Sequence, residues 1–339
     1  MHQVIAERPF SETGFEEAAA LDLLRDVVRA RRFDERALAL QRRGWMSGYP
    51  PFQGQEASQV GAAHAMREGD WLVPTYRSNA MQLARGVPMS DILAFRRGHA
   101  EYASDHDLNV LPQAVPIASQ IPHAAGIGMA QNYREDDESA TLCYFGDGAT
   151  SEGDFHEGVN FAGVFDAPVV FFCENNHWAI STPQNRQTAS DSIAVKADAY
   201  GIEGVQVDGM DPLAVRKVVS AAMDVARDGT PVLVESLTYR QGPHTTSDDP
   251  SKYRDDDPDL PEWRTRDPVE RYVEYLTESG VVDEDTVEEL REAATEEVAD
   301  AVDHVEETET ADPDDVFDHL YEDLPPRVRE QREFVRSRH

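Results

Sequence analysis

Lysine is almost absent from this chain: Lys196, Lys217 and Lys252 stand against 28 arginines in 339 residues. Cysteine is as scarce. Cys143 and Cys173 are the only two, too few for a disulfide scaffold and without CxxC spacing for a redox pair, so they read as reduced core residues. No apolar run approaches the length of about 20 residues that a membrane helix needs. The first residues, MHQVIAERPFSETG, lack the basic start and apolar core of a secretory signal. These absences point to the cytoplasm. Formal net charge is −34, from 65 acidic against 31 basic residues, which argues against nucleic acid or anionic membrane as partners.

The acid is spread along the chain rather than gathered in a tail. Such a surface repels itself strongly at low ionic strength, whereas at about 1 M salt the Debye length falls to about 3 Å and screens the repulsion. Acid excess with lysine depletion therefore implies a high-salt cytoplasm. A chain of 339 residues suits one large domain with an appendage, burying about 75% of the unfolded surface.

The richest stretch is TLCYFGDGATSEGDFHEGVNFAGVFDAPVVFFCENNHWAIS. Thr141 to Phe145 is apolar, aromatic and β-branched, and reads as a buried strand closed by the turn Gly146-Asp147-Gly148. Ser151 is placed to N-cap a crossover helix whose Phe155, Val159, Ala162 and Val164 fall at helical spacing. Ala167 to Cys173 is a second apolar run without alternation, as in a parallel sheet covered on both faces. A right-handed βαβ unit brings both strand ends to one edge of the sheet, where open α/β folds bind ligands. Asp147 and Asn176 can therefore share one ion. A carboxylate with an amide oxygen, and no His or Cys at ligand spacing, is a hard and sparse set suited to Mg²⁺ completed by phosphate oxygens and water. The glycines let backbone approach a diphosphate, and the following helix points its N-terminus at the anion. GDGATSEG fits neither GxGxxG nor GxxxxGKS/T, and no lysine precedes Lys196, which disfavours a nucleotide-binding dehydrogenase or kinase.

Around this unit, Phe15 to Arg43 reads as a helix with apolar residues Leu21, Leu24, Val28 and Leu38, ending at Gly44. A Gly/Pro-rich loop follows, Trp45 to Gly54, then a helix from Gln55 to Arg67. GVQVDG and PVLVESLTYR supply later strands. Gln241 to Leu260, with breakers Pro243, Pro250 and Pro258, reads as a long loop, ordered or mobile. Asp267-Pro268 starts a helix closed by Gly280, and Asp283 to Glu307 is an acidic helix with an apolar face of Val287, Leu290, Val298, Val302 and Val305. The basic end, DLPPRVREQREFVRSRH, reads either as a contact with the acidic bulk or a partner, or as a flexible tail. The expected division is an N-terminal helical segment over 1–44, a ligand-binding α/β domain over 45–265 with a mostly parallel sheet and helices on both faces, and C-terminal helices and tail over 266–339.

The central stretch resembles the thiamine diphosphate motif, and the chain from about Arg32 to Trp263 resembles the α subunit of the decarboxylating component of 2-oxo acid dehydrogenase complexes. The segments QGQEASQVGAAHAM, Tyr76-Arg77, PIASQIPHAAGIGMA, STPQNRQTAS, GVQVDGMDPLAV and YRQGPHTTSDDPSKYR follow that family's order. The resemblance implies the thiamine-diphosphate-binding fold, with Mg²⁺ held by the side chains of Asp147 and Asn176 and the carbonyl of Trp178, where many relatives have Tyr. It implies cofactor contacts at Tyr76, Arg77, Ile117, Gly146, Gly148, Ala149 and His244: Arg77 as a bidentate partner of the diphosphate, Ile117 as the apolar prop, His244 also as a catalytic residue. A K⁺ site near Pro116, Ser119 and Gln120 is implied by some relatives. Tyr49 and Phe52 lie in a loop that approaches the substrate side in relatives, although ordinary loop packing also accounts for them. His64, His99, His106 and His123 carry no such support and read as structural.

In that family a glutamate on the pyrimidine side promotes loss of the cofactor's C2 proton, a kind of proton transfer worth about 10²–10⁴-fold. Glu56, Glu152 and Glu157 are the nearby candidates here, and all three read as helix-surface or helix-start residues. The chain looks like half of an active site. A β subunit in an α2β2 assembly is the implied partner, with a lipoyl-bearing transacylase receiving the acyl group. The implied reaction is oxidative decarboxylation of a small 2-oxo acid, pyruvate first, with a branched-chain 2-oxo acid or acetoin as alternatives. A non-catalytic subunit would be favoured if Asp147 or Asn176 were missing, and both are present. The loop's counterpart in eukaryotic relatives is phosphorylated; Thr245, Thr246 and Ser247 supply hydroxyls, but nothing in the sequence assigns regulation. The salt reading is open to thermal melting across a salt series: the melting temperature is expected to fall below about 0.5 M, where the Debye length exceeds about 4 Å, and an unchanged value there contradicts it.

Overall fold

Covering an apolar strand on both faces is the task this chain's helices perform. The structure is a computed structural model and describes all residues except 6, 103, 105, 135–136, 255–259, 309–311, 319 and 339; Pro258 of the expected loop and His339 of the basic end lie outside the described residues. In chain order the main elements are α1 (Glu17–Arg42), α2 (Glu56–Ala63), β1 (Trp71–Val73), α3 (Asn79–Ala84), α4 (Met89–Arg96), α5 (Gln120–Tyr133), β2 (Thr141–Gly146), α6 (Gly153–Val164) and β3 (Val169–Asn175). There follow β4 (Trp178–Ala179), β5 (Thr182–Pro183), β6 (Glu203–Asp208), α7 (Pro212–Arg227), β7 (Val232–Leu237), α8 (Glu262–Thr265), α9 (Pro268–Glu278), α10 (Glu284–Glu307), α11 (Asp315–Asp318) and α12 (Pro326–Arg336).

Five strands form one sheet in the order β1-β2-β3-β7-β6, parallel throughout, and β4 and β5 make a separate antiparallel pair. Along β2, Leu142 and Tyr144 face a core shared with α1, α2, α7, α9 and α10, while Cys143 and Phe145 face a second core under α5 and α6. Val170 and Phe172 of β3 join the first, Phe171 and Cys173 the second. Two covered faces explain the continuous apolar runs. Cys143 and Cys173 are free and buried, and burial raises both thiols above their ordinary range.

Several boundaries differ from expectation. Ser151 is not the cap of α6: a 3-10 turn, Asp147–Ser151, intervenes, and Glu152 precedes the helix without a side-chain cap bond. Val164 is 66% exposed, so the buried stripe of α6 is Phe155, Val159 and Ala162. α2 stops at Ala63 rather than Arg67, because the Asp70 carboxylate takes the Arg67 amide at 2.6 Å and turns the chain. Gly44, at φ +75°, ends α1 as expected, and the Asp267 side chain caps α9 through the amides of Val269 and Glu270 at 2.9 and 3.3 Å. α10 packs on α1 and α4 with Val287, Val298, Val302 and Val305 buried. The basic end folds as α12, and Arg336 Nε bonds Asp314 at 2.7 Å beside α11.

Glu56 starts a helix as expected but is not a surface residue. It is fully buried, pairs with Arg31 at 2.6 Å and accepts from the Gly54 amide at 2.9 Å. Arg31 also meets Asp267 at 2.7 Å, so one guanidinium ties α1, α2 and α9 together. Nearby, Asp34 accepts from the Tyr49 hydroxyl at 2.7 Å and the Phe52 amide at 3.1 Å. Tyr49 and Phe52 are thus buried packing residues that pin the loop to α1. Burial, and then the charge of Glu56, push the Asp34 carboxyl up from 3.8 to about 7. A carboxyl raised on folding adds its stability below its unfolded value and loses it as pH rises through the folded one. The Asp34→Asn variant, which keeps the Oδ1 acceptor, is therefore expected to gain melting temperature relative to the parent between pH 5 and pH 8. A difference that stays constant over that interval refutes the assignment.

Candidate active site

The carboxyl ends of β2, β3 and β7 open onto a cavity of about 240 Å³. Tyr76, Arg77, Ile117, Gly146, Asp147, Gly148, Ala149, Asn176, Trp178 and His244 all line it, with Gln120, Tyr144, Glu152 and Arg240. The geometry thus brings together every cofactor-side residue read from the sequence except Pro116 and Ser119, which are not in its wall. A larger cleft of about 330 Å³, between the first residues and α7, is mostly apolar and holds none of these groups.

Register explains the convergence. Gly146 at the end of β2 lies opposite Glu174 in β3, and Asn175 lies opposite Leu237 in β7, so Asp147, Asn176 and Arg240 all follow strand ends on one edge. Asp147 is 2% exposed. Its Oδ2 accepts from Gln187 Nε2 at 3.1 Å, but Oδ1 is buried with no hydrogen-bond partner. An orphaned carboxylate oxygen is costly, and burial raises this carboxyl from 3.8 to about 6. The Asn176 amide is oriented by donating to Gln55 Oε1 at 2.9 Å, which leaves Oδ1 to accept the Trp178 amide at 3.2 Å. Asn175 instead turns into the structure, donating to Gln184 and Glu235 at 3.0 and 2.7 Å. Among the described residues no three His, Cys, Asp or Glu side chains converge as a metal cluster. A cation here would be held by one carboxylate and neutral oxygens, and completed by something else.

The turn itself is braced. A Cβ on Gly148 would stand 2.8 Å from the Ala179 Cβ, so β4 can approach only because the residue is glycine. Lys196, half-buried, donates to the Thr150 carbonyl and hydroxyl at 3.1 and 2.9 Å.

Opposite Asp147 the cavity is cationic. Arg77 is 5% exposed and Arg240 1%, and among the described residues neither has a carboxylate partner within 4.0 Å. Arg77 donates to the Pro51 carbonyl, to His244 Nδ1 at 2.9 Å and to the His244 carbonyl at 2.8 Å. The fork expected to be offered bidentate is therefore turned largely to protein acceptors. A guanidinium cannot accept, so His244 Nδ1 is the acceptor and its proton sits on Nε2. Burial, Arg77 and Arg240 push the His244 imidazole down from 6.5 to about 4, which makes it a neutral donor at pH 7. Arg240 donates to the Ile180 carbonyl at 2.7 Å and the Tyr253 hydroxyl at 2.9 Å, with Nε buried and unpartnered. Burial and the neighbouring guanidiniums lower it to about 10.

The loop after β7 is hydrogen-bonded where it is described. Asp248 accepts the His244 amide at 2.6 Å and the Tyr253 hydroxyl at 2.6 Å, while Arg254 holds the Gln241 carbonyl at 2.7 Å. Tyr253 packs on Trp178 with ring centroids 5.3 Å apart. The Ser119 hydroxyl and amide both address the Pro116 carbonyl, at 2.8 and 3.3 Å, and Gln120 Oε1 is buried without a partner. Of the three glutamates, only Glu152 reaches the wall, while Glu157 is exposed on α6. His64 pairs with Asp26 at 2.7 Å, and His99, His106 and His123 lie outside the cavity. Sequence reasoning missed Arg240 and Gln187. Applying to β7 the strand-end rule used for β2 and β3 reaches Arg240; no comparable signal marks Gln187.

Residues 25–314 match the family described as dehydrogenase E1 component. The 3-methyl-2-oxobutanoate dehydrogenase subunit alpha of Mycobacterium tuberculosis is 42% identical over 313 residues, 92% of this chain and 85% of that protein. The pyruvate dehydrogenase E1 component subunit alpha of Staphylococcus aureus is 38% identical over 322 residues, 94% of this chain and 86% of that one. With the parallel sheet and the converging strand ends, these matches show that the chain belongs to the dehydrogenase E1 component family.

Proposed function

We propose that the cavity binds thiamine diphosphate through Mg²⁺ and that the chain is the α subunit of a 2-oxo acid dehydrogenase, working in a high-salt cytoplasm. The observation that carries this reading is the pairing, across one cavity, of an orphaned buried carboxylate oxygen on Asp147 with two buried arginines that lack carboxylate partners. A dication between the carboxylate and a diphosphate satisfies both sides at once.

In this reading Asp147 Oδ1, Asn176 Oδ1 and the Trp178 carbonyl hold the metal. Arg77, Arg240 and the Nε2–H of His244 face the diphosphate, with Tyr76 edge-on to His244 at 6.3 Å between ring centroids. Gly146, Gly148 and Ala149 offer main chain, and Ile117, 42% exposed in the cavity wall, is the apolar support. When bound, the cofactor supplies the electron sink for decarboxylation. This chain's residues position it, neutralise its charge and exclude water; of the three candidate glutamates, Glu157 is exposed on α6 and Glu152 is exposed at the cavity wall. Glu56 is locked to Arg31, so a β chain is the proposed donor and an α2β2 assembly serving a lipoyl-bearing transacylase the proposed context. Pyruvate is the proposed substrate. The 42% identity to a branched-chain enzyme's α subunit favours a 3-methyl-2-oxobutanoate reading as the second.

Calorimetry of the chain co-expressed with its β partner is expected to show thiamine diphosphate binding only with Mg²⁺. Asp147→Asn should weaken it at least about 100-fold, beyond the 10–100-fold typical of outer-shell changes; binding at parental affinity rejects the site. The α chain alone is expected to show no decarboxylation of any 2-oxo acid, and appreciable turnover without a second polypeptide sinks the half-site reading. Steady-state comparison of pyruvate, 3-methyl-2-oxobutanoate and acetoin on the reconstituted enzyme selects among the substrates.

A further inference from the structure

Asp147 has two oxygens in unlike circumstances. Gln187, half-buried in the segment after β5, donates from Nε2 to Asp147 Oδ2 at 3.1 Å and to the Thr182 carbonyl at 3.2 Å. Both amide hydrogens are therefore spent and the side chain is held at two points. Its own Oε1 is buried and unpartnered, in van der Waals range of the space a Cβ on Gly148 would fill, at 3.7 Å. The backbone is tied in as well: the Gln187 amide donates to the Gln184 carbonyl at 2.9 Å, and the Ser151 hydroxyl reaches the Gln187 carbonyl at 3.5 Å. Asp147 Oδ1 alone is left open.

We propose that Gln187 is a positioning residue that makes Asp147 a one-oxygen ligand and so selects Mg²⁺ over Ca²⁺. The proposal rests on reading the cavity as the metal and diphosphate site. Mg²⁺ demands an octahedron at about 2.0–2.1 Å and takes a carboxylate through one oxygen, whereas Ca²⁺ takes 6–8 oxygens at about 2.3–2.6 Å and often binds a carboxylate through both. A hydrogen-bond donor fixed on Oδ2 removes the second oxygen.

The test is calorimetry on the α chain with its co-expressed β partner, thiamine diphosphate held constant and Mg²⁺ or Ca²⁺ varied. The parent should prefer Mg²⁺. Gln187→Met, nearly isosteric without a donor, and Gln187→Glu, which adds a second carboxylate, should both shift the ratio of Mg²⁺ to Ca²⁺ affinity toward Ca²⁺ by about 10–100-fold. Unliganded melting temperature checks that each variant is folded. A parent that binds Ca²⁺ as tightly as Mg²⁺ overturns the proposal without any variant. If Asp147→Asn abolishes binding while both Gln187 variants keep the parental ratio, only the role of Gln187 falls; if Asp147→Asn binds normally, the site reading itself fails.

Discussion

Parallel pairing in register is the constraint from which the site follows. A parallel sheet puts every strand's carboxyl end on one edge, and the alignment of Gly146 with Glu174 and of Asn175 with Leu237 sets which side chains emerge there. A slip of β2 by one residue would turn Phe145 out of its core and into the other, and shift Asp147 relative to Asn176. The two apolar cores hold that register. The chemistry of the edge is thereby supported by residues that take no part in it.

Charge is handled differently by several arginines of the frame and by those of the cavity. Several guanidiniums of the frame have carboxylates: Arg31 with Glu56 and Asp267, Arg227 with Asp70 at 2.5 Å, Arg271 with Asp208 at 2.9 Å; the buried Arg264 donates only to the Thr238 and Asn175 carbonyls, at 2.9 and 3.1 Å. Arg77 and Arg240 meet carbonyls, a hydroxyl and an imidazole instead. Removing a charge from water without a counter-charge costs several kcal/mol even after relaxation (about that order). In a chain with 65 acidic residues carboxylates are abundant, yet among the described residues neither cavity arginine is paired with one. Arginine suits the role, being more weakly hydrated than an ammonium and always charged.

Much of this could be read from residues in a line. The uninterrupted apolar character of Thr141 to Phe145 and Ala167 to Cys173 signalled covered strands, and the βαβ rule then placed Asp147 and Asn176 together. Asp267-Pro268 and Gly280 marked α9 because capping chemistry is local. What escaped depends on contacts between distant segments. Ser151 has the right chemistry for a cap, yet the turn closes through the Thr150 hydroxyl to the Asp147 carbonyl at 2.9 Å and the helix begins later. Glu56 looks like a solvated helix start until Arg31, 25 residues earlier, is laid against it. Arg77 was legible as a charge at the site, but its hydrogen bonds to Pro51 and His244 are tertiary.

Both outer strands of the sheet are occupied. On the β6 side the His2 amide bonds the Gln206 carbonyl at 3.0 Å and the Asp208 amide bonds the His2 carbonyl at 2.9 Å. On the β1 side the Leu72 amide bonds the Asn109 carbonyl at 2.8 Å, and the Leu111 amide returns to the Leu72 carbonyl at 2.9 Å. Unpaired edges are what let one chain extend its sheet into another. With both margins bridged at these positions by the chain's own segments, edge-to-edge extension of this sheet by another polypeptide is disfavoured, and helix faces and loops are the surfaces left open to association.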